Sequence, residues 1–224
     1  MKTFIQLLSG ILLLYATACG RNVVETYAPA NDQEKAELDM EASRYEAASE
    51  KLLKVLSETP ENYNARSLLA AAYAARAGIT TLSLIKNATS LGSSGATGLR
   101  GYTTILPTAT SDVLAFMELA CDAMAKIPVE DRTTEMKLQY GLFFSSYAFL
   151  QIKYFLDNPT ALASLSVNDA LKLVETLAKA SEAGGSSPLS KAAETLSTTL
   201  ASTPGSNVDK VKAALGPSTP ASGG

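Results

Sequence analysis

Thr133-Thr-Glu-Met-Lys-Leu-Gln-Tyr140-Gly-Leu-Phe-Phe-Ser-Ser-Tyr147-Ala-Phe-Leu150-Gln-Ile-Lys-Tyr-Phe-Leu156 is the stretch that decides the fold. Met136, Tyr140, Phe143, Tyr147, Leu150 and Tyr154 recur at alternating spacings of four and three, the period of one helix face. Leu142, Phe149, Ile152 and Phe155 cover the other sides, so the helix is apolar nearly all round. Such a helix sits either at the centre of a bundle or in lipid. Lys137, Gln139, Ser145, Ser146, Gln151 and Lys153 make the bilayer costly, which favours a central, buried helix over about 133–156. Gly141 within it costs about 1 kcal/mol against alanine and marks a close helix approach.

The same period runs outward in both directions and never gives way to alternation. Asn31 or Asp32 caps a first helix, with Glu34 in its first turn, that runs on to Pro60 with Leu38, Tyr45, Ala48, Leu52 and Val55 on one face. Asn62 caps a second, which bears Leu69, Ala72 and Tyr73 and ends at Gly78. A third is expected over about 80–91, ended by Gly92. Ser111 or Asp112 caps a fourth carrying Val113, Phe116, Ala120 and Met124. After the central helix, Ser166 with Asp169 forms a capping-box start for a sixth. Pro188 opens a seventh from its first position, and Ser206 with Asp209 begins a short last turn before Gly216. The expectation is an all-α domain over 31–216, of antiparallel hairpins or a bundle, with about seven helices. A Gly/Ser/Thr-rich connector, 92–110, is expected to be mobile because so few of its side chains can pack. Residues 217–224 read as a disordered tail.

The chain starts with Lys2, an apolar run from Phe4 to Tyr15, and Ala16-Thr17-Ala18 directly before Cys19. The run is too short to span a bilayer, and its layout is that of an export signal over 1–18. This segment resembles the lipobox of bacterial lipoproteins, with Ala16 standing where the family usually carries leucine. The resemblance implies cleavage before Cys19, a diacylglycerol on its sulfur, and Gly20 directing the protein to the periplasmic face of the outer membrane. Residues 19–30 then form a tether. The other reading of the same residues is an ordinary signal cut after Ala18, which leaves a free thiol.

Composition narrows the functions. The formal charge of −3 becomes −4 once Lys2 leaves with the signal, which argues against a nucleic-acid partner. With Cys19 taken, Cys121 has no partner for a disulfide and reads as a small buried hydrophobe. Histidine is absent. That removes the usual serine–histidine and cysteine–histidine pairs and the favoured zinc ligand. Gly92, Gly95, Gly98 and Gly101 lack the Gly-Lys-Ser/Thr ending and preceding strand of a phosphate loop. Glu118 and Asp122 share a helix face and read as a solvated surface. No catalytic residue, metal ligand or cofactor is expected.

Tyr45, Ala48, Leu52, Pro60, Leu69, Ala70 and Tyr73 are similar in spacing to the tetratricopeptide repeat signature over 39–78. Val55 departs from that pattern, and no tryptophan accompanies it. A generic antiparallel bundle accounts for the same residues. The resemblance implies a protein-binding scaffold, with Asn64 and Ser67 facing a groove that holds another envelope protein. The alternative is a ligand carrier or transporter accessory in which Tyr140, Phe144 and Tyr147 wall a pocket for a small apolar or anionic ligand.

Overall fold

The computed structural model describes residues 31–80, 82–83, 99–182 and 188–215. Among them it contains ten α-helices and no strand. These are α1 (Asp32–Glu41), α2 (Tyr45–Glu58), α3 (Tyr63–Arg76), α4 (Leu99–Thr104), α5 (Ser111–Ala125), α6 (Thr134–Asp157), α7 (Pro159–Ala163), α8 (Val167–Glu182), α9 (Pro188–Ser202) and α10 (Asn207–Leu215). A 3-10 turn, Val129–Asp131, joins α5 to α6. The all-α expectation is met, with more helices than seven. The export signal, the tether, most of the expected third helix, 92–98 and the C-terminal tail lie outside the described residues.

α6 is the axis of the molecule. It packs against α5, α8 and α9 and, through shorter contacts, α4, α7 and α10. Phe143, Phe149, Leu150 and Ile152 are all at most 1% exposed, so opposite faces of one helix are buried together. Each such side chain contributes about 1.5–3 kcal/mol relative to exposure. The serines that made a bilayer costly are also inside: Ser145 and Ser146 are fully buried. Among the described residues no helix is long and apolar enough to cross a membrane. The Thr133 hydroxyl starts α6 by accepting from the Met136 amide at 3.2 Å.

On one side of this core lies a layer of α1, α2 and α3. α3 joins the two, because it packs against α2 and α5 at once. Ala65 and Leu69 belong to the outer cluster, while Ala70 and Ala74 belong to the main one. Small side chains let α3 approach both neighbours closely.

Three expectations are corrected here. The single helix from Asp32 to Pro60 is two, broken at Ala42–Arg44. Ser43 takes φ +58°, and Asp39 draws in Arg44 (Nε to Oδ1, 2.8 Å) and Lys51 across the turn. The spacing of seven from Leu38 to Tyr45 therefore spans a turn, and Leu38 is 45% exposed. Part of the 92–110 connector is packed, not mobile: Leu106 is 4% exposed and the Tyr102 ring lies 5.5 Å from that of Phe149. The Lys153 ammonium fastens this segment by donating to the Thr103 and Leu106 carbonyls, each at 3.0 Å. The fourth expected helix starts one residue earlier than read, with Thr110 as cap to the Val113 amide at 3.3 Å.

The other local signals hold. Asn31 and Glu34 form a reciprocal capping box at 2.8 and 3.0 Å. Asn62 caps α3 at 3.0 Å, and Gly78 turns the chain out of it at φ +77°. Ser166 caps α8 through the Asp169 amide at 3.1 Å, and Pro188 is the first residue of α9.

Candidate functional site

Three helix faces meet over an open cleft of about 440 Å³. α5 contributes Ser111, Leu114, Ala115 and Glu118, spaced three, one and three and hence on one face. α6 contributes Tyr147, Gln151, Tyr154 and Phe155, again one face. Asp169 and Lys172 come from the first turns of α8. α7 supplies Ala161, with Ser164 just beyond it. That short helix exists because Asn158 ends α6, its amide donating to the Tyr154 carbonyl at 2.8 Å, and Pro159 starts a new helix at once.

The polar centre is a trio. Lys172 Nζ donates to Glu118 Oε1 at 2.6 Å, and the Tyr147 hydroxyl donates to Glu118 Oε2 at 3.2 Å. The Lys172 ammonium also stands 5.8 Å from the Tyr147 ring centroid. Burial is the main cause that pushes the Tyr147 phenol up to about 12, and the Glu118 charge adds to it against the opposing pull of Lys172. Burial works to depress Lys172, but the attraction of Glu118 and Tyr147 outweighs it, so this ammonium ends above its ordinary value. At neutral pH the cleft thus presents a neutral phenol and a firmly charged ammonium. General acid–base work needs a group poised near the operating pH, and both of these shifts lead away from it. Because the Lys172 and Glu118 side chains are 45% and 43% exposed, the ion pair itself adds little stability.

Gln151 completes the site. It is 8% exposed, and its Nε2 is buried without a hydrogen-bond partner among the described residues. Buried amide donors are nearly always satisfied.

The residues singled out from sequence are not brought together. Of the three expected pocket residues only Tyr147 lines the cleft. Tyr140 and Phe144 stack on each other at 4.3 Å, covered by the Arg132 guanidinium 4.0 Å above Tyr140 and the Lys179 ammonium 5.6 Å from the Phe144 ring. They fill core, because residues 140 and 144 point to a flank of α6 that other side chains close. Ser67, expected in a partner groove, is 8% exposed and its hydroxyl donates to Gln139 Oε1 at 2.5 Å. It ties α3 to α6, since the side of α3 taken for a groove wall is packed; Asn64 alone is exposed there. Cys121 is 3% exposed, and burial pushes its thiol well above the ordinary value, leaving it an inert hydrophobe. Glu118 does not pair with the exposed Asp122 but turns into the cleft. Cys19 lies outside the described residues. Among those described, no cluster of three acidic or sulfur side chains is placed to hold a metal ion.

Sequence reasoning missed Glu118, Gln151, Asp169 and Lys172 as a group. Their single-helix spacings are visible in the chain, but nothing local says that these faces oppose one another. No protein-family model matches the chain, and neither a curated protein nor a solved structure is similar to it.

Proposed function

We propose that this chain is an exported lipoprotein, held by Cys19 at the periplasmic face of the outer membrane, that binds a small ligand without transforming it. It serves there as a carrier or accessory to another envelope protein. The observation that carries this reading is the cleft over α5–α8: its volume of about 440 Å³ is of ligand size, and apolar walls surround a few convergent polar groups. Two tests separate anchor from ligand. A palmitate analogue should label the wild-type protein and not Cys19→Ser; label that survives the substitution overturns the anchor. A panel of small metabolites should raise the melting temperature of the wild type. A ligand at a hundred times its Kd adds about 2.7 kcal/mol. Ala115→Trp, which fills the cleft from an exposed position, should abolish that rise; an equal rise in the variant places binding elsewhere.

A further inference from the structure

A second groove, of about 370 Å³, lies on the far side of α6 from the cleft over α5–α8. Phe149 lies beneath it, two residues from Tyr147 and from Gln151 and so about 200° round the helix from both. Its walls are α4 and α9, each packed on α6. Tyr102 comes from α4, and Lys191, Ala192, Thr195, Leu196 and Thr199 come from α9. Phe149 is itself fully buried, so the apolar surface of the groove is that of Tyr102, Ala192 and Leu196, all part-buried against the main core. The polar groups differ in whether they are already engaged. Thr195 donates to the Lys191 carbonyl at 2.9 Å and Thr199 to the Thr195 carbonyl at 2.8 Å, so both hydroxyl protons are used within α9. The Lys191 ammonium and the Tyr102 hydroxyl have no hydrogen-bond or ion-pair partner among the described residues. No carboxylate among those residues lines the groove, whereas Glu118 and Asp169 line the cleft.

We infer that this groove binds a carboxylic acid with an apolar chain. Its carboxylate accepts from Lys191 and Tyr102, and its chain lies along Ala192 and Leu196. An amine of the same shape would meet the Lys191 charge with no acid in the lining to offset it. A neutral alcohol would gain the apolar burial and nothing from the ammonium. This is a second site, and it depends neither on the ligand of the cleft nor on the anchor at Cys19.

The test uses octanoate, octylamine and 1-octanol, which share one chain and differ in charge, titrated into the intact chain by calorimetry and ligand-observed NMR. Octanoate should bind more tightly than 1-octanol by about threefold or more, the scale of one exposed ion pair, and octylamine should bind most weakly. Lys191→Gln, at an exposed position, should bring octanoate down to the affinity of 1-octanol and leave 1-octanol unchanged. Thr195→Trp, also at an exposed position, should fill the groove and abolish octanoate binding. Ala115→Trp, which fills the cleft instead, should leave octanoate binding as it is. Equal binding of the three probes, or a preference for the amine or the alcohol, overturns the assignment. So does a full preference for octanoate in Lys191→Gln. Octanoate binding that survives Thr195→Trp, or is lost in Ala115→Trp, overturns the placement in this groove. Binding of none of the three overturns the proposal too, and leaves the small-ligand reading of the cleft to its own test.

Discussion

The core around α6 and the α1–α3 layer beside it are both helical, yet they are held by different means. Around α6 the contacts come from large side chains, Phe143, Phe149, Leu150 and Ile152, each essentially unexposed. In the outer layer they come from Ala36, Ala48 and Ala65 with three leucines, Leu52, Leu56 and Leu69, and from a polar knot. There Asp39, 6% exposed, holds Arg44 and Lys51, and Asp32 reaches Lys54 at 2.6 Å. Large apolar side chains impose a cooperative core; small ones with ion pairs set a turn and a helix angle while contributing less stability. Local opening draws on regions with few buried apolar contacts. The layer should open first.

The largest effect is expected at Phe149→Ala, which removes a fully buried ring and its contact with Tyr102. The loss should be about 3–5 kcal/mol in equilibrium denaturation. The unfolding transition should remain single, because Ala70 and Ala74 tie α3 into the same cluster. A loss below about 1 kcal/mol, or a second transition, would break the contrast. Next comes Ala70→Leu, fully buried where α3 meets the main core. Overpacking there should cost about 1–3 kcal/mol, whereas a neutral result in thermal unfolding would mean that α3 can slide away from the core. The smallest effect is that of acid. Lys51, then Arg44, hold the Asp39 carboxyl below its ordinary 3.8, and Lys54 and Lys35 do the same for Asp32. A depressed folded pKa stabilises above the unfolded value and is lost as pH falls through the folded one. Amide exchange in α1 and α2 should therefore quicken below pH 3.8 before that of α6 does. Equal acceleration in both regions would erase the distinction between them.

Much of the architecture was legible because its signals are short-range. The caps at Asn31, Asn62 and Ser166, the break at Pro60 and the turn at Gly78 each act within three or four residues. The turn at Ser43 was not legible. Its cause is a carboxylate at Asp39 that meets Lys51 twelve residues on, and the Leu38-to-Tyr45 spacing imitates a continuous face. The packing of 101–110 was hidden in the same way: glycine and threonine hid Tyr102 and Leu106, and Lys153, about 50 residues away, secures them.

By itself the chain determined that it would be all-helical, that 133–156 would lie at the centre, and where most helices begin and end. These follow from side-chain period and capping, which are properties of adjacent turns. Only the tertiary structure decided that Glu118 meets Tyr147 and Lys172, 29 and 54 residues away, and that Tyr140, Phe144 and Ser67 are packed rather than presented. Which faces oppose one another depends on loop lengths and helix crossings summed over the whole domain. No local pattern of residues encodes that sum.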